Sequence, residues 1–124
     1  MATVSNVLTR AAILLERGVC RGANARLPDG KPCGVFDQRA ASHSMYGALC
    51  SVLGPGLGDD KALQASPAWK LISLRAWAAL PENAQGRMEY ALHDLNDVLP
   101  FHQPTKLFRE WAADEEIVAL GEWV

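Results

Sequence analysis

The chain has 124 residues, 12 basic against 14 acidic side chains for a formal net charge of −2, and 49% hydrophobic residues. That length fits a single helical domain over residues 1–124 with a modest core, because chains of this size hide roughly two-thirds of their unfolded surface on folding. The near-neutral balance offers no excess positive charge to grip a phosphate backbone or an anionic membrane, so nucleic acid and membrane are not expected partners. Ser5, Asn6, Thr9 and Arg10 interrupt the N-terminal apolar residues, unlike a signal peptide, and no run reaches membrane-spanning length, so the expected location is cytoplasmic.

The first element is an amphipathic helix. Val4, Val7, Leu8, Ala11, Leu14 and Leu15 recur at helical steps, with Thr3 or Ser5 as N-cap and Gly18 just past the end. A long break follows, GVCRGANARLPDGKPCG over residues 18–34, in which Gly18, Gly22 and Gly30 permit positive φ and Pro28-Asp29-Gly30 favours a turn. Ala23–Leu27 and Lys31–Val35 read as two very short strands around that turn. This break is the first place to look for function.

A second helix is expected from Phe36 or Asp37, with Phe36, Ala40, His43, Tyr46 or Gly47, Cys50 and Leu53 on one face. It ends at the glycine-rich linker Gly54–Asp60. Ser66-Pro67 reads as an N-cap and first helical residue of a third helix carrying Trp69, Ile72, Ser73, Ala76, Trp77 and Leu80. Glu82–Asn96 reads as a fourth, with Met88, Ala91, Leu92 and Leu95 inward. Asn96-Asp97 is a poor pair for the negative end of a helix dipole, which implies another use for those side chains. After an extended Val98–Pro104, Thr105 is placed as the cap of a last helix with Leu107, Phe108, Trp111 and Ala112 inward. The fold expected is mainly α, a compact bundle of four to six helices with a short irregular or β-hairpin insertion after the first helix.

Cys20, Cys33 and Cys50 cannot all pair within one chain, and a reducing compartment leaves thiols, although Cys20 and Cys33 can face each other across the turn. With His43 they have the ligand types of a zinc site but not the close pairing of ligands that a zinc knuckle uses, so no metal is expected. Cys33, before Gly34 and the expected start of the second helix, is the candidate nucleophile, with His43, His93 or His102 as base. No local signature joins them, and no pattern calls for a cofactor. His93 and Asp97 share a helical face, four residues apart. Asn96 and Asp97 are also suited to bonding backbone in the neighbouring turns. Trp69 and Trp77 fit core packing, whereas Trp123 either docks over the core or stands out as an anchor for a partner.

The order of these features resembles a family of small uncharacterised bacterial and phage proteins carrying G-W-x-Q-G, C-x-x-G-A-L and W-N-D segments. Gly18 and Gly22 stand for the first, Cys33 for the second, and Asn96, Asp97, Pro100 and Thr105 for the third. Val19 replaces the tryptophan of the first segment, Arg21 its glutamine, and Leu95 the late tryptophan, while Phe36-Asp37-Gln38 stands where Gly-Ala-Leu is expected. The resemblance implies a fold, and it implies that Asn96 and Asp97 tie down the Gly18–Gly22 break.

Small size, neutral charge and surplus tryptophan point to a non-enzymatic interaction or modulator protein, such as a phage or mobile-element accessory factor acting on a host protein. Binding is expected at Cys33, Asn96, Asp97, His102 and Trp123. A homo-oligomer is compatible with the same reading. The alternative is a small thiol-dependent enzyme or metal-binding protein using Cys33 with His43 or His93.

Overall fold

A computed structural model describes residues 3–53 and 67–121, with side chains described for all but Glu89 and residues 116–121. The expected linker at Gly54–Asp60, the Ser66 cap and Trp123 lie outside the described residues. Among these there are five α-helices and a two-stranded antiparallel sheet: α1 (Val4–Arg17), β1 (Ala25–Arg26), β2 (Ser42–His43), α2 (Met45–Leu53), α3 (Pro67–Ala79), α4 (Ala91–Val98) and α5 (Gln103–Gly121). The fold is mostly helical and compact, with the short β-hairpin inserted after the first helix.

Helix α1 packs against both α2 and α5, and α3 packs against α4. Of the stripe read from the sequence, Val7, Leu8, Ala11 and Leu15 are buried and Val4 and Leu14 partly so; with Ala12, which that stripe did not include, the buried residues join Met45, Ala48, Leu49, Ile72, Leu92, Leu95, Phe108 and Trp111 in one core. Thr3 caps α1, its Oγ1 accepting from Asn6 N at 3.1 Å. Ion pairs join the outer helices, Arg75 of α3 to Glu115 at 2.5 Å and Arg109 of α5 to Glu16 of α1.

The insertion departs from the sequence reading. The Pro28-Asp29-Gly30 turn forms, with Leu27 N donating to Lys31 O at 2.8 Å and Gly30 at φ 90°. The strand that pairs with Ala25–Arg26 in the sheet, however, is Ser42–His43; Lys31–Val35 is not a strand of it and meets β1 through the bridge from Pro32 to Arg26 and the bond from Cys33 N to Ala25 O at 3.0 Å. β1 therefore runs between Pro32-Cys33 and β2. Gly22 has positive φ at 76°, while Gly18 at φ 160° is ordinary extended backbone, so its expected left-handed role is withdrawn.

The second helix starts at Met45, not at Phe36, and His43 belongs to a strand. Local side-chain chemistry competes with helix here: Asp37 Oδ1 accepts from both Arg39 N (2.9 Å) and Arg39 Nε (3.1 Å), closing a turn on itself. Phe36, expected inward, is 58% exposed.

The expected fourth helix is likewise divided into two 3₁₀ turns, Glu82–Ala84 and Met88–Tyr90, and then α4. Gln85 and Gly86 serve the end of α3 instead: Gln85 Nε2 donates to Trp77 O at 3.1 Å and Trp77 Nε1 donates to Gly86 O at 3.0 Å. Met88 is consequently 41% exposed rather than inward. The last helix begins at Gln103, ahead of the expected Thr105 cap, with buried Pro104 in its first turn, where the missing N–H breaks no helical bond. Asp114–Glu116 continue it.

Candidate functional site

The break after α1 is held from two directions. Its start pairs with β2, Cys20 N donating to His43 O at 3.0 Å and His43 N to Gly18 O at 3.1 Å. Its middle is locked onto α4. Arg21 Nε donates to Asn96 O at 3.1 Å, its Nη2 donates to Leu99 O, and the guanidinium lies 4.5 Å from the centre of the Phe101 ring. These carbonyls sit at the end of α4, where the last C=O groups lack helical partners, so a cation from the loop caps the helix that Asn96-Asp97 alone would leave poorly terminated.

Asn96 completes the lock from the other side. Its Nδ2 donates to Cys20 O at 2.9 Å and its Oδ1 accepts from Met45 N at 3.0 Å. One side chain, 3% exposed, thereby joins the loop, the first turn of α2 and α4. Asn96 thus makes the contact to the break expected of it, whereas Asp97 is exposed and makes none with the loop.

The start of α2 is built for close approach. Ser44 Oγ accepts from Gly47 N at 3.0 Å as an N-cap, and Ser44 N donates to Asn24 O at 3.0 Å. A Cβ on Gly47 would lie 1.9 Å from Asn24 O, so only glycine lets the loop backbone pass there. The chain's single Gly-Ala-Leu string is Gly47-Ala48-Leu49, three residues after Ser44. That string was the available signal for this contact, and aligning Cys33 with the C-x-x-G-A-L segment passes over it.

Between loop and helices lies a cleft of about 210 Å³. Gly22, Ala23 and Asn24 line it from the loop, Ser44 and Tyr46 from the start of α2, and His93, Asn96 and Asp97 from α4. The Tyr46 ring packs against His93 at a tilt of 34°, with centroids 4.5 Å apart, and meets Trp69 edge-on at 5.2 Å. The sequence reading therefore placed three of the cleft's side chains, His93, Asn96 and Asp97, among its candidates. It gave no site role to Asn24, Ser44 or Tyr46, which only the packing brings together.

The other candidates lie elsewhere. Cys33 is half-buried and β1 separates it from His43, which puts their backbones two strand spacings apart, about 9–10 Å. His43 is 3% exposed; burial pushes its imidazole below the ordinary value, partly opposed by its hydrogen bond to the Val35 backbone, and its Nδ1 has no partner. Cys20 is buried with Sγ donating to Ala23 O at 3.4 Å, and burial pushes its thiol up. His102 is exposed beside Gln103. Among the described residues no three His, Cys, Asp or Glu side chains converge to hold a metal ion, and no helix is long and apolar enough to cross a membrane.

The profile of a family of unknown function, DUF6197, matches residues 1–116. The chain belongs to DUF6197. That match takes in α1, the hairpin, the cleft and most of α5, so the geometry above is that of a DUF6197 member. No curated protein and no solved structure matches the chain.

Proposed function

We propose that this DUF6197 chain is a non-enzymatic binding module that attaches to a protein partner and modulates it, in the manner of a phage or mobile-element accessory factor acting on a host protein. One observation carries the reading. Asn96, His43 and Cys20 are committed to the scaffold, while the loop they support presents to solvent a polar cleft lined by His93 and Asp97. Asn96 is occupied at both ends of its amide, His43 is buried in the sheet, and Cys20 is buried with its thiol held protonated. β1 keeps Cys33 away from His43, and Cys33 does not line the cleft that contains His93. A nucleophile and its base need hydrogen-bond reach, so this arrangement favours recognition over the thiol chemistry considered from the sequence.

The test is a paired capture from lysate of the native host, using the native chain and Asn24→Trp, whose exposed side chain fills the cleft. A protein enriched by the native chain and lost with Asn24→Trp is the expected result. A protein enriched equally by both, or none enriched by the native chain, refutes the reading.

A further inference from the structure

We propose that the cleft between the loop and α4 receives the cationic end of an arginine or lysine side chain presented by the partner, held by the Asp97 carboxylate beside the His93 ring that Tyr46 backs. The assignment rests on the protein-binding reading and specifies what the partner must carry. Size comes first: about 210 Å³ is roughly seven times the volume of one liquid water and lies below the roughly 300–1,000 Å³ of pockets for drug-sized ligands, which suits one side chain rather than a cofactor.

Charge decides the sign. Asp97 is exposed on the cleft, no Lys or Arg lines it, and among the described residues no hydrogen bond or ion pair engages the Asp97 carboxylate. Of the break's two guanidiniums, Arg21 is directed to Asn96 O and Leu99 O, and Arg26, beside Gly22, to Arg21 O and Gly30 O. A helix N-terminus beside the cleft would ordinarily favour an anion. Here three of its N–H groups are already taken, Ser44 N by Asn24 O, Met45 N by Asn96 Oδ1 and Gly47 N by Ser44 Oγ. What remains is a carboxylate beside the half-buried His93 ring, and the carboxylate binds a flat or compact cation through a charge-assisted hydrogen bond.

Methylguanidinium chloride titrated into the isotope-labelled native chain tests this by amide and imidazole NMR. Saturable shifts are expected at Gly22, Ala23, Asn24 and the His93 ring, with affinity falling about tenfold or more in Asp97→Asn, the effect of removing a charge-assisted hydrogen bond. His93→Ala, a second variant with Asp97 intact, is expected to weaken the loop shifts, and sodium acetate to leave the native loop amides unmoved. Absence of saturable shifts, shifts that persist unchanged in Asp97→Asn, or a stronger response to acetate overturns the assignment. The two readings fail separately: a captured partner without methylguanidinium binding removes the cation site alone, whereas methylguanidinium binding without a captured partner keeps the cation site and removes the protein-binding reading.

Discussion

Replacing Gly47 by alanine sets two effects of opposite sign against each other. Helix propensity favours the substitution by about 1 kcal/mol, since glycine is the less favourable residue within a helix. Packing opposes it. The new Cβ would lie 1.9 Å from Asn24 O, 2.7 Å from Asn24 C and 3.1 Å from Asn24 Cα, all backbone, so no side chain can swing aside. Overpacking of this kind costs about 1–3 kcal/mol, and a backbone contact this short belongs at the upper end. Moving Asn24 also breaks its bond from Ser44 N, a further loss of about 1 kcal/mol. The net expectation is destabilisation by about 3 kcal/mol, or a drop in Tm of roughly 10 °C for a chain of this length. Urea and thermal unfolding measure it, with Gly34→Ala as the control because a Cβ there meets nothing within 4 Å. A Gly47→Ala chain as stable as the native one would show that the loop does not press on α2, and would refute the account of the cleft's construction.

Asn96→Ala leaves Cys20 O and Met45 N without their partner and is expected to cost about 2–4 kcal/mol by urea unfolding, with Asn96→Asp rescuing little because a carboxylate cannot donate to Cys20 O. Arg21→Ala uncaps α4 and is expected to cost about 1–3 kcal/mol, and Arg21→Lys to restore only part, since an ammonium lacks the planar fork that reaches Asn96 O and Leu99 O together; faster amide exchange at the end of α4 is the readout. The His43 imidazole is held below its ordinary value of 6.5 by burial, so the unfolded chain binds the proton more readily than the folded one. Its contribution to stability is therefore full above about pH 6.5 and is lost as pH falls below it, and the urea midpoint should decrease across that range less steeply in His43→Gln.

Much of the scaffold was legible in the residues alone. The apolar spacing of α1, the Trp69-Ile72-Ala76 stripe of α3 and the Phe108-Trp111-Ala112 stripe of α5 each reflect a helix burying one face, which is a local property of the chain. The boundaries that failed are those at which side chains bond across turns. Asp37 closes a turn where a helix start was expected, and Gln85 and Gly86 terminate α3 where the body of another helix was expected. Such competitors do not alter hydrophobic periodicity, so a periodic reading runs through them.

For the candidate site the division is between residue type and partner. The residues themselves marked the break after α1 as unusual and Asn96 as a side chain with work beyond its own helix, because a polar amide at the end of a helix has nearby backbone to bond. Only the folded chain paired β1 with Ser42–His43, placed Gly47 under Asn24 and packed Tyr46 against His93 to close a cleft with Asp97. Those contacts join positions far apart in the chain, and their geometry follows from how helices of given length and tilt meet, which no local pattern encodes.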